Sequence, residues 1–377
     1  MGDMMIKLFS VKNYRNFKDK IVLDFSNIRD YDFNTYCIKD GLISKAMIFG
    51  KNGVGKSNLG FALFDIVSVL TDRFVTPEAK RQSLFINADS EEREVHFHYE
   101  FCFQNYNIVY DYTKIDYNTL STERLWVNEE EVYEYDHKKN EFITKKLQLI
   151  GAETLNFEFS EEGIAILKYI ANNGNIGNMH IVKVFITFVR QMLWFRSLKN
   201  NQFIGVEPRH KNPLEEIVQN GLLNDFSAFL ERTTGKKYVL EESSNEINDT
   251  LRIFEVHRGK KIDFINAASN GTMALITLFA WMHYFENVSF LWMDEFDAYY
   301  HFELSKKIVE EIMRYESIQT VFTSHNTYLL DNELLRPDVY FILNDGKIRS
   351  LSDSTFRELR ESHNLEKLFR NGDFEDE

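Results

Sequence analysis

Residues 45–64, "KAMIFGKNGVGKSNLGFALF", decide the reading of the fold. "AMIF" is wholly apolar and stops at Gly50, as a buried strand does. From Lys56 the period becomes helical, with Leu59, Phe61, Leu63, Phe64, Ile66, Val67 and Leu70 giving a broad apolar face. Between them "GKNGVGKS" (50–57) fits G-x-x-x-x-G-K-S, and a strand before it with a helix after it is the context that marks a phosphate-binding loop. Glycines 50, 53 and 55 let backbone N–H groups turn inward on phosphates, and the helix start adds its dipole. Lys56 is expected to neutralise the β and γ phosphates and Ser57 to ligate Mg²⁺; Asn52 and Asn58 are grouped with them as nucleotide-binding residues.

Three further stretches take their meaning from that loop. "VSFLWMDEFD" (288–297) is an apolar strand ending in adjacent carboxylates. By itself this would read as a strand terminus with solvated acids. Downstream of a phosphate loop, Asp294 is expected to face Mg²⁺ through water and Glu295 to polarise the attacking water as general base. "TVFTSHNTYLLD" (320–331) places His325 just past the next apolar strand, where it would overlook the γ-phosphate, because ligands of such sheets bind beyond the carboxyl ends of the strands. "NAASNGTMAL" (266–275) offers the Ser269 hydroxyl, the unobstructed N–H of Gly271 and a helix start. It reads either as a plain N-cap or as a second anion corner, and within one chain a second corner is redundant unless it serves another nucleotide.

Elsewhere, "IKLFSV" and "KIVLDFS" alternate as strands do, and five alternating segments between about 93 and 147 suggest an antiparallel β lobe. Residues 163–235 read mainly as helix, notably "IVKVFITFVRQMLWF" and "LEEIVQNGLLNDFSAFLERT". After the strands "LRIFEVH" and "KIDFI", helix and strand alternate, which means a parallel sheet with crossover helices. The expected architecture is α/β: a mixed or parallel sheet with crossover helices, an antiparallel β lobe and a helical insertion. Its expected parts are 1–150, an insert at 151–235, and 236–377.

The 377 residues are 44% hydrophobic and 15% aromatic, ample for a buried core. A net charge of −14 means nucleic acid cannot be held by overall attraction and would need a local basic surface. The basic runs "HKKNEFITKK" and "RGKK" are short and read as solvated turns. Cys37 and Cys102 lie in no metal-type spacing and are expected to be reduced thiols. No apolar run reaches bilayer length and the N-terminus lacks a signal-peptide core, so no membrane partner and a cytoplasmic location are expected.

At these residues the sequence resembles the ABC-type ATPase heads of the RecF, SMC and OLD group. The resemblance implies ATP with Mg²⁺, and it makes Ser269-x-Gly271 a reduced signature motif that reaches the γ-phosphate held by a second copy. "VKNYRNF" (11–17) looks like the segment that opens RecF and SMC heads, which implies that Arg15 approaches the nucleotide. The stretch from "DEFDAYYH" to "NLEKLFRNGDF" is similar to standalone bacterial ATPases of the OLD-like, abortive-infection class. In that class a loop carries Asp and His, here Asp297 and His301. A Leu-Leu-Arg-x-Asp element follows, here Leu334 to Asp338, then an Asn-Leu-Glu-Lys element, here Asn364 to Lys367. Phe302 stands where that class has proline, the tail "NGDFEDE" departs from its pattern, and Gln82 is a guess for the Q-loop.

Too little sequence follows His325 for a Toprim nuclease domain, so effector chemistry is expected on a separate nuclease or toxin. The resemblance implies an ATPase that forms a homodimer or higher homo-oligomer around ATP and controls such an effector in anti-phage defence. Two rivals are a DNA-repair or recombination ATPase that clamps DNA, and an ATP-locked scaffold with little turnover.

Overall fold

The computed structural model describes residues 4–71, 73, 84–157, 163–177, 180–196, 202–205, 212–245 and 250–374. Its centre is a seven-stranded sheet in the order Gln202–Gly205, Met192–Arg196, Phe290–Asp294, Gln319–Ser324, Lys45–Phe49, Tyr340–Asn344, Lys347–Ser350. The five inner strands are parallel, and an antiparallel strand closes each edge. The strands Lys45–Phe49, Phe290–Asp294 and Gln319–Ser324 are buried throughout, which is why they read as unbroken apolar runs rather than alternations. Their carboxyl ends carry Gly50, Asp294 and Ser324 to one edge of the sheet.

The β lobe is a second seven-stranded sheet, antiparallel throughout, and it also takes in the first two strands of the chain, Met5–Lys12 and Ile21–Asp24. Period-two burial along Val95–Phe103 turns Val95, Phe97, Tyr99, Phe101 and Phe103 inward. A three-stranded antiparallel sheet, residues 240–263, precedes the helix Asn270–Met282. Among the described residues no helix is long and apolar enough to cross a membrane.

The apolar stretch after Lys56 is two helices, Lys56–Leu63 and Asp65–Leu70, hinged at Phe64. The lobe holds the hinge: Tyr99 Oη donates to the carbonyls of Ala62 (3.0 Å) and Leu63 (3.2 Å). Just beyond it, buried Asp65 accepts from Lys114 Nζ at 2.9 Å and Tyr112 Oη at 3.0 Å. At Gly60 a Cβ would lie 3.0 Å from the rings of Trp194 and Trp292, so the first helix packs directly on the sheet.

One expectation is corrected. "IVKVFITFVRQMLWF" is not a single helix: Ile181–Arg190 is helical, but Met192–Arg196 is a fully buried strand paired in parallel with Phe290–Asp294. A strand buried on both faces carries no period that separates it from a buried helix, which is why the sequence pattern misleads there. The 151–235 segment is therefore not wholly helical; it supplies two strands of the central sheet. The second stretch is two helices, Pro213–Gln219 and Leu223–Thr234, parted at Gly221, which has φ +68°.

Lobe and helices meet at Glu123, which is wholly buried. It accepts from Tyr110 Oη (3.0 Å), Tyr133 Oη (2.6 Å) and the N–H groups of Ile166 (2.7 Å) and Leu167 (2.9 Å), and His137 Nε2 lies at 3.1 Å. It thus satisfies orphan donors at the start of the helix Ile166–Asn173. Burial pushes its carboxyl up, but the hydrogen bond and charge of His137, with Tyr133 and the Leu167 amide, outweigh burial and hold it below the ordinary range. A depressed carboxyl contributes stability above its unfolded pKa and loses it as pH falls through the folded value. Glu123→Ala is expected to cost about 3–5 kcal/mol at neutral pH. Urea unfolding of both proteins from pH 7 downward checks this, since the gap should narrow as the wild-type carboxyl protonates.

Candidate nucleotide-binding site

The loop from Gly50 to Gly55 turns from the sheet edge into the helix Lys56–Leu63. Gly53 (φ +85°) and Gly55 (φ +111°) adopt left-handed backbone that side chains resist. A Cβ at Gly55 would also lie 2.4 Å from Asn16 Nδ2. Asn16 in turn donates to Val54 O at 3.0 Å and accepts from Asn58 Nδ2 at 2.7 Å, so the opening segment of the chain braces the loop.

The expected catalytic and metal residues converge. Ser57 Oγ donates to Asp294 Oδ2 at 2.7 Å, pairing the two expected metal ligands. Lys56 Nζ donates to Gly50 O at 2.6 Å and ion-pairs with Glu295 Oε1 at 3.0 Å. The other Glu295 oxygen meets His325 Nδ1 at 2.9 Å. Lys56 and Glu295 are buried, whereas the His325 side chain is 51% exposed. Burial pushes Asp294 and Asp297 above the ordinary carboxylate range, against hydrogen bonds from Ser57 and Thr323 to the first and Ser324 to the second. The charge of Arg196, whose strand position is in register with Asp294, also opposes the rise there.

Arg15 lies beside the helix start. Its guanidinium sits 4.5 Å from the Phe61 ring centroid and donates to Asn58 Oδ1 (2.8 Å) and Tyr117 Oη (2.9 Å). Both acceptors are neutral, and its buried Nε has no hydrogen-bond partner among the described residues. A buried cation held only by neutral acceptors suits a nearby anion. A glycine-turned loop, Lys56 and Arg15 fit a polyphosphate, and the oxygen pair of Ser57 and Asp294 fits Mg²⁺, a cation that takes oxygen ligands.

Ser269 and Gly271 are not drawn into this cluster. Ser269 caps the helix Asn270–Met282, its Oγ accepting from Thr272 N at 3.2 Å, and it is exposed. Gly271 lies against the loop after the acidic strand: a Cβ there would come within 3.1 Å of Tyr299 O. Other quoted elements lie outside this cluster. Arg336 and Asp338 form a buried bidentate pair at 2.8 Å, and Asp338 also accepts from Arg29 N at 2.7 Å, which ties down the early segment. Asn364 caps the helix Leu365–Arg370. His301 is the N-cap residue of the helix Phe302–Met313 but makes no side-chain cap bond, and exposed Phe302 packs on Tyr328 with ring centroids 5.5 Å apart. Gln82 lies outside the described residues.

Sequence reading missed Asn16, Tyr117, Arg196 and Thr323. The first three lie far along the chain from the acidic strand, and only the topology brings them in. Thr323 could have been suspected, because it stands two residues before His325 at a strand end.

A phosphate loop, an acidic strand and the strand that precedes His325, with their carboxyl ends together, define a P-loop ATPase domain of the AAA type. The chain belongs to the family described as "AAA domain, putative AbiEii toxin, Type IV TA system", which it matches over residues 45–331. No curated protein matched it. Similar solved structures include an SMC head bound to the C-terminal winged-helix domain of ScpA, at 17% identity and TM-score 0.44 over 92% of this chain and 96% of that one. Another is the SMC head domain from Thermotoga maritima, at 13%, TM-score 0.45, over 92% and 97%. A third is the Smc head with coiled coil and joint from Pyrococcus yayanosii, at 13%, TM-score 0.47, over 98% and 99%.

Proposed function

We propose that the protein binds and hydrolyses ATP with Mg²⁺, closes into a homodimer or higher homo-oligomer around the nucleotide, and thereby controls a separate effector, a nuclease or toxin, in anti-phage defence. One observation carries the enzymatic part: Glu295 stands between Lys56 (3.0 Å) and His325 (2.9 Å), beside the Ser57–Asp294 pair. Bound Mg²⁺ would neutralise charge on the β and γ phosphates. Ser57 and Asp294 would hold it. Lys56 would exchange its carboxylate partner for phosphate oxygens, leaving Glu295 to take a proton from water while His325 keeps that carboxylate oriented.

Closure by a second copy is supported by the exposed helix start at Ser269, whose hydroxyl bonds only Thr272 among the described residues. The link to a toxin system is supported by the family's description, "putative AbiEii toxin, Type IV TA system". Phosphate release and light-scattering mass, measured with ATP or ADP and with or without duplex DNA, test the proposal. The expected result is Mg²⁺-dependent turnover that DNA does not stimulate, and a mass doubled or more with ATP only. Tight ATP retention without turnover would favour the scaffold, and stimulation by DNA the clamp.

A further inference from the structure

The tip of the strand Gln319–Ser324 and the residue after it grip the acidic loop at three successive positions. Thr323 Oγ1 donates to Asp294 Oδ1 at 2.9 Å, Ser324 Oγ donates to Asp297 Oδ2 at 2.7 Å, and His325 Nδ1 meets Glu295 Oε2 at 2.9 Å. Thr323 makes a second bond: the same oxygen accepts the backbone N–H of Glu295 at 2.8 Å. Thr323 has no exposed surface, so water does not compete for either bond.

Two features give this hydroxyl its weight. Asp294 has its other oxygen on Ser57 Oγ at 2.7 Å, so Thr323 and Ser57 between them fix the carboxylate plane. Glu295 sits at φ +48°, a left-handed conformation that a non-glycine residue keeps only where its surroundings impose it. The bond from its N–H to Thr323 is one such constraint, and the turn bond from Ala298 N to Glu295 O (3.1 Å) is another.

We infer that Thr323 is a positioning residue that orients Asp294 for the metal and Glu295 for water activation through one hydroxyl. The inference rests on the ATP·Mg²⁺ reading above. A valine of the same shape leaves Asp294 Oδ1 and the Glu295 N–H buried without their partner, freeing the carboxylate to rotate and the backbone to relax. Residues that orient metal ligands in this way are typically worth about 10- to 100-fold in metal affinity or activity.

The test compares full-length wild type, Thr323→Val, Thr323→Ser and Thr323→Ala by Mg²⁺ titration of fluorescent ATP-analogue binding, by steady-state ATPase kinetics and by melting temperature. Thr323→Val is expected to need roughly 10-fold more Mg²⁺ for half-saturation and to turn over about 10- to 100-fold more slowly, with KM for ATP unchanged at saturating Mg²⁺. Thr323→Ser keeps the hydroxyl and is expected to match wild type in both. If valine does not fold, Ala against Ser decides, since both lack the methyl group and differ only in the hydroxyl. Val and Ala variants that match Ser in Mg²⁺ requirement and turnover overturn the inference. A wild type that binds ATP with Mg²⁺ but does not hydrolyse it overturns the hydrolysis reading alone, because the Mg²⁺ titration still judges Thr323. One that binds no nucleotide overturns both.

Discussion

Glu295→Gln will cut ATP turnover by about 10²- to 10⁴-fold, the usual worth of a positioned general base, while ATP binding holds or tightens. The first half follows from losing the proton acceptor. The second follows from the ion pair: in this structure Glu295 Oε1 lies 3.0 Å from Lys56 Nζ, so the carboxylate occupies the cation that phosphate oxygens require. Glutamine keeps the side-chain shape and removes the competing charge, and Lys56 becomes easier to recruit. Phosphate release measured beside fluorescent ATP-analogue affinity separates the two effects. A parallel collapse of binding and turnover would mean that Glu295 holds the site together rather than acting on water.

Ser269→Arg will abolish hydrolysis and ATP-driven association while the affinity of a single copy for ATP stays near normal. Ser269 makes no hydrogen bond to its own phosphate loop among the described residues; its hydroxyl serves Thr272 N and Oγ1. Losing that cap alone costs only about 1 kcal/mol, too little to stop catalysis. A bulky cation at an exposed helix start acts differently, since it bars a second copy from closing on the nucleotide and opposes the helix dipole. Mixed dimers of Ser269→Arg with Lys56→Ala chains give a sharp readout. Both lesions fall in one composite site and the other is intact, so activity should return. If the substitution lowers only the melting temperature, the stretch is a helix cap and nothing more.

The sequence made the grouping of the candidate site more legible than the architecture. Gly50 to Ser57, Asp294, Glu295 and His325 announce themselves because phosphate and metal chemistry demand particular residues at strand ends, and those strands are short apolar runs of unmistakable length. Met192–Arg196 was hidden because burial on both faces erases its period and an amphipathic helix runs directly into it. The break at Phe64 was hidden for another reason: it is imposed from the lobe by Tyr99, a contact 36 or 37 residues away in the chain. Thr323 was passed over because a threonine in a β-branched strand looks like an ordinary strand former.

The strand Lys45–Phe49 that launches the phosphate loop pairs on one side with Gln319–Ser324 and on the other with Tyr340–Asn344. During synthesis that strand therefore leaves the ribosome long before either neighbour exists. The lobe hairpins, local in sequence, can form early, whereas the loop stays on an incomplete sheet until Gln319–Ser324 and Tyr340–Asn344 have been made. The framework of the loop is thus tied to strands far downstream in the chain. A partly made copy exposes the apolar strand "KAMIF" and needs shielding until those strands arrive.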